Sequence, residues 1–127
     1  MDVLDQYVST ELDRMTMEVL VRSYFDTLNE RGDPTNYLSD SVVFRPSLSR
    51  SARGRSEVIE MIESMQDAFE ECETEIVSLA TGEGFVLAEC VLHLKLRGSA
   101  RGRVLAFSYI RINDGRISEW HQLTGAC

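Results

Sequence analysis

The chain has 127 residues, enough for one domain and hardly two. Hydrophobic residues make up 43%, a globular composition, and a domain of this size buries roughly two thirds of its unfolded surface. The formal charge of −8 repels phosphate backbones and argues against nucleic acid or anionic membrane as partners.

Residues 1 to 10 read as a flexible lead-in to a single domain covering 1–127. A helix follows from about Leu12 to Arg31. Met17, Leu20, Val21, Tyr24 and Leu28 recur at helical spacing, and Leu12, Met15, Val19 and Phe25 widen that apolar face. Gly32 suits a left-handed cap, and Asp33-Pro34 restarts the chain as a short helix through about Leu38. Ser41 to Pro46 reads as a strand and Ser47 to Arg53 as a polar loop. Ser56 can cap the next helix, Glu57 to Glu70, whose buried face holds Val58, Ile59, Ile62, Met65 and Phe69.

From Glu73 the period changes from 3.6 to near 2. Four strands follow in a meander, the last two joined by Asn113-Asp114-Gly115, a strong hairpin signal. The fold class is α+β: a cone-shaped curved antiparallel sheet (α-α-β-α-β-β-β-β) packed on N-terminal helices, with an interior pocket.

Alternation assigns the faces, and a slip of one residue inverts them. Cys90, Leu92, Leu94 and Leu96 share the face toward the helices, and Ser108 lies on the inner face of the next strand. Leu105, Phe107 and Tyr109 share an apolar outer face, which points to a homodimer through that face. In the last strand Trp120 and Gln122 are placed inward; the alternative register puts Glu119 and His121 inside. The arginines at 45, 50, 53, 55, 97, 101 and 103 read as solvated loop and strand charge rather than an anion site.

The three cysteines, Cys72, Cys90 and Cys127, lack metal spacing, and no apolar run reaches the roughly 18 residues of a membrane helix. With an acidic polar start unlike a signal peptide, a reducing cytoplasm is the expected location.

Several motifs in order resemble the nuclear transport factor 2-like superfamily, in particular its SnoaL-like polyketide cyclases and the ketosteroid isomerase-like group. They are Gly32-Asp33-Pro34, Leu38-Ser39-Asp40 with Val42-Val43-Phe44, Gly54-Arg55 with Val58-Ile59, and Asn113 to Ile117 with Trp120. The resemblance spans about Leu12 to Thr124. It implies a pocket lined by Phe44, Cys90, Leu92, Ser108 and Trp120. It also implies substrate polarisation by Tyr24, Arg45 and Gln122. Where ketosteroid isomerase relatives carry a general-base Asp, this chain has Arg45, and where they carry a protonated acid it has Ser108. The Asp-Arg-Asp set of epoxide hydrolase relatives falls on Cys90, Leu92 and Gln122.

The leading functional expectation is therefore a small-molecule enzyme of the cyclase, isomerase or epoxide-opening type. It acts on a small apolar carbonyl or epoxide compound, without metal or organic cofactor, through hydrogen-bond donors. The alternative is a non-catalytic ligand-binding or dimerisation module on the same fold.

Overall fold

The computed structural model describes residues 3–125 and, among these, all side chains except those of residues 5–9. Cys127 lies outside the described residues. The first helix, α1, runs Val3–Asn29, so the backbone is helical well before the Leu12 start suggested by the sequence.

Among the described side chains, only one side of α1 is buried. Val21, Tyr24, Phe25 and Leu28 enter the core with Met17 and Leu20 against them. Leu12, Met15 and Val19 remain 57%, 60% and 63% exposed, contrary to the wide face expected. At 3.6 residues per turn these three fall on the side of the helix opposite Met17, Tyr24 and Leu28. The helix carries two apolar stripes, and one sheet covers one of them.

The left-handed residue at the end of α1 is Arg31 (φ 56°), one position before the expected Gly32. The Gly32 N–H donates to Thr27 O at 2.8 Å and the Arg31 N–H to Leu28 O at 3.0 Å, a Schellman ending in which Gly32 follows the left-handed residue. The Asp33 carboxylate then accepts the Thr35 N–H at 3.0 Å and starts a 3-10 turn, Thr35–Tyr37.

Strand β1 (Leu38–Ser47) turns back into a short β2 (Arg50–Arg53). The sequence reads β2 as loop because only Ala52 among its four residues is apolar and buried. Helix α2 (Arg55–Asp67) starts after Gly54 (φ 87°), which places Ser56 inside the helix rather than at its cap. Glu57 instead reaches back, its carboxylate accepting the Arg53 N–H at 3.0 Å.

The meander comprises β3 (Glu71–Gly82), β4 (Phe85–Lys95), β5 (Arg101–Asn113) and β6 (Arg116–Gly125). Asp114 and Gly115 both have positive φ (53° and 73°), as the β5–β6 hairpin requires. The sheet order is β2-β1-β6-β5-β4-β3, and β1 runs parallel to β6. The curved sheet is thus six-stranded and mixed, where the sequence suggested an antiparallel one. The helices cover its inner face.

Register in β6 shifts between Ile112–Ile117 and Arg111–Glu119, so Ser118 is the extra residue of a bulge. Ile117 and Trp120, an odd number of positions apart, are therefore both buried, which simple alternation forbids. Trp120 and Gln122 face inward, and the alternative with Glu119 and His121 inside does not hold.

β3 is an edge strand, and the last residue of α1 closes part of its open edge. Asn29 Nδ2 donates to Thr74 O and Asn29 Oδ1 accepts the Thr74 N–H, both at 2.8 Å. One carboxamide does here what a neighbouring strand does elsewhere. Asn29→Ala leaves both backbone groups unpaired, an expected loss of about 2 kcal/mol, and Asn29→Asp costs a similar amount because a carboxylate has no N–H to offer. Urea unfolding midpoints measure this; an unchanged midpoint for Asn29→Asp refutes a need for the double bond.

Candidate functional site: a neutral cavity beneath Trp120

Between α1, α2 and the inner sheet face lies a cavity of about 60 Å³. Its apolar walls are Leu28, Phe44, Ile62, Met65, Leu92 and Trp120, and its polar lining is Asn29, Gln66, Cys72, Thr74 and Gln122. That volume holds about two waters at roughly 30 Å³ each and is well below the roughly 300 Å³ at which ligand pockets begin.

Four residues predicted from the sequence meet here: Phe44, Leu92, Trp120 and Gln122. Phe44 and Trp120, register partners on β1 and β6, stack with centroids 4.0 Å apart and planes 15° apart. Trp120 Nε1 donates to Ser108 Oγ at 3.1 Å within the core. Ser108 is thus spent on fixing the indole and does not itself line the cavity.

Tyr24 stands behind Trp120, edge to face, with centroids 5.4 Å apart. It is fully buried and its hydroxyl has no partner among the described residues. Burial pushes its phenol well above the usual range, so the hydroxyl stays protonated and is a donor. It does not border the cavity; the Trp120 ring comes between.

Two predicted residues lie elsewhere. Arg45 is exposed, because alternation along β1 sends it to the outer face when Phe44 points in; its register partner is the outward His121. Cys90 faces inward but packs in a separate cluster with Ala88 and Ala106, away from the cavity. Burial, and next the Glu89 charge, push its thiol up to about 11, which makes it a poor nucleophile.

The outer face and rim hold the charges. His121 lies against Tyr109, Glu119 faces Arg111 at 3.6 Å, and Glu71 and Arg101 pair at 2.8 Å. Among the described residues no carboxylate, imidazole, guanidinium or ammonium lines the cavity, and no three His, Cys, Asp or Glu side chains gather to hold a metal. The one ionisable lining group is Cys72, whose thiol is raised by burial and partly lowered again by the Arg31 charge.

Sequence reasoning missed Asn29, Gln66, Cys72 and Thr74. Asn29 and Gln66 are already engaged, the latter donating to Leu28 O at 3.0 Å. Their role depends on where two helix ends meet, which no local periodicity encodes. Gln122 differs: it is 8% exposed, lines the cavity, and makes no side-chain hydrogen bond among the described residues.

Residues 21–120 match the SnoaL-like domain family. Comparison with curated proteins finds no match. Among solved structures, an LEH-like epoxide hydrolase from M. tuberculosis is similar at TM-score 0.74 and 21% identity, covering 87% of this chain and 82% of that one. A protein assigned as a ketosteroid isomerase, from Kribbella flavida, is similar at TM-score 0.75 and 20% identity, over 89% and 80% of the two chains. One assigned as a SnoaL-like polyketide cyclase, from a Jannaschia species, gives TM-score 0.78 and 13% identity over 87% and 85%. Likeness at these identities establishes the shared cone fold.

The unpartnered Tyr24 hydroxyl makes a direct prediction. Tyr24→Phe removes a desolvated donor without opening a cavity and is expected to stabilise the protein by about 1 kcal/mol, raising Tm by roughly 3–6 °C. A lower Tm in calorimetry rejects this account of the hydroxyl.

Proposed function

Because the chain belongs to the SnoaL-like domain family, we propose that its cone takes up a small, uncharged, mostly apolar molecule. That molecule carries one carbonyl or hydroxyl, oriented by the carboxamide of Gln122. The observation that carries this reading is Gln122 itself: a buried amide in an aromatic-walled cavity with no side-chain hydrogen bond among the described residues. Such a group gains when a ligand supplies its partner. A charged ligand is disfavoured, since no opposite charge among the described lining residues offsets its desolvation. The cavity must widen to admit a ring, and Met65 on its wall is the side chain best able to give way.

The second reading is catalysis of the cyclase, isomerase or epoxide-opening type on the same ligand. The Gln122 amide, able to donate into the cavity, favours it. With no base among the described lining residues, rate enhancement rests on Gln122 as the placed donor.

The outer sheet face completes the proposal. Leu87, Phe107 and Leu123 are 48%, 49% and 55% exposed there, around a groove of about 440 Å³ that also borders Tyr109. This is the surface for a homodimer. No helix among the described residues is long and apolar enough to cross a membrane. The free thiols of Cys72 and Cys90 favour a reducing, cytoplasmic setting.

Two measurements test these readings. The chain has one tryptophan, so the fluorescence of Trp120 reports the cavity directly. Titration with cyclohexanone is expected to give a saturable change that Gln122→Leu weakens on the order of fivefold. No saturable change, or an unaltered one in Gln122→Leu, rejects the role of Gln122. Light scattering is expected to give a dimer mass at micromolar concentration and a monomer for Phe107→Asp; a wild-type monomer rejects the interface.

A further inference from the structure

The space of about 60 Å³ is too small for a ring-sized ligand and must widen, and one part-exposed junction on its wall is built differently from the rest. There the C-terminal end of α1 meets the last turn of α2 and the start of β3. A groove of about 560 Å³ lies outside this junction and shares Asn29 and Cys72 with the cavity, so these residues face both spaces.

The two helix ends cap each other. Arg31 donates from one guanidinium nitrogen to the carbonyls of Gln66 (3.1 Å) and Phe69 (3.3 Å) at the end of α2. Gln66 donates from its side chain to Leu28 O at the end of α1 (3.0 Å). Arg31 does this from a left-handed backbone conformation (φ 56°) at a helix-ending position where glycine is the relaxed choice. A strained arginine in place of glycine implies that its side chain matters there. The rest of α2 rests chiefly on β1 and β2, at some remove from this junction. Its last turn nonetheless supplies Met65 and Gln66 to the cavity wall.

We infer that the junction between the last turn of α2 and the start of β3 is the ligand portal, and that Arg31 is the latch that keeps it narrow. Release of the guanidinium frees the end of α2 and residues 68–69 to swing about Glu70, whose N–H bond to Lys95 O (2.7 Å) stays on the sheet, and so widens the passage from the outer groove to the cavity past Cys72. This builds on the cavity as the ligand site, yet its test needs no ligand, so the two can fail separately.

The full-length protein carries its own reporters. Cys72 lies at the portal, and Cys90 is buried in a separate cluster that reports global unfolding. Alkylation by N-ethylmaleimide, read at each cysteine by peptide mass, is compared between wild type, Arg31→Gly and Gln66→Ala. Glycine relaxes the left-handed backbone, so Arg31→Gly is expected to fold with an undiminished Tm. Loss of two charge-assisted hydrogen bonds is expected to speed Cys72 labelling on the order of tenfold, with Cys90 unchanged. Gln66→Ala is expected to speed it less. The lost Arg31 charge works the other way, since that charge holds the Cys72 pKa down, so faster labelling reports access. Amide exchange over residues 68–69 should rise in parallel. Cys72 labelling no faster in Arg31→Gly overturns the latch, and so does acceleration shared equally by Cys90.

Discussion

The double hydrogen bond between Asn29 and the backbone of Thr74 ties the end of α1 to the open edge of the sheet. An edge strand left bare exposes a row of backbone donors and acceptors. Here one residue of that row is satisfied by a helix, which fixes where α1 ends relative to β3. Tyr24, Phe25 and Leu28, in the turn or so before Asn29, then have one place to go: onto Trp120 and the inner sheet face. The indole is fixed in turn by Phe44 on one side and the Ser108 hydroxyl on the other. The cavity is the space these constraints leave between α2 and the sheet.

Much of this was legible from residue order. The change of period after Glu73, the Asn113-Asp114-Gly115 turn and the inward set of Cys90, Leu92, Ser108 and Trp120 all follow from local rules that the tertiary structure respects. Failures occurred where two local rules were equally satisfied. Leu12, Met15 and Val19 are as apolar and as periodic as Met17, Tyr24 and Leu28, and only the position of the sheet chooses between the stripes. Ile117 and Trp120 cannot share a face without the Ser118 bulge, and a bulge leaves no mark in composition. β2 has almost no apolar pattern of its own and exists because β1 offers it a partner.

The candidate site was less legible than the fold because four of its five polar lining residues come from element ends. Asn29 and Gln66 end α1 and nearly end α2, and Cys72 and Thr74 open β3. The family resemblance directed attention to mid-strand positions. Phe44, Leu92, Trp120 and Gln122 do meet, whereas Arg45 was assigned by analogy with a carboxylate and strand alternation turns it outward. The described lining of this interior carries no charged side chain. The carboxylates and the two histidines of the sheet stand on its outer face or rim, where water and counter-charges keep them solvated at little cost. Neutral lining suits hydrogen-bond recognition of an uncharged molecule, and it lets a net charge of −8 coexist with a dry core.

That neutrality also explains why strain collects at Arg31. A cavity stabilised by buried charge could be held closed from within by ion pairs. This one has only aromatic stacking and amides along its described lining, so what narrows it must come from the rim. The rim is where two helix ends bring carbonyls with spare acceptor capacity together. An arginine in the left-handed position reaches the carbonyls of Gln66 and Phe69 at once, which a glycine cannot. The backbone strain of roughly 1 kcal/mol is of the same order as the net worth of these two solvent-exposed hydrogen bonds, so the narrow state is held by only a small margin. A margin that small lets the junction widen by local opening without unfolding the sheet.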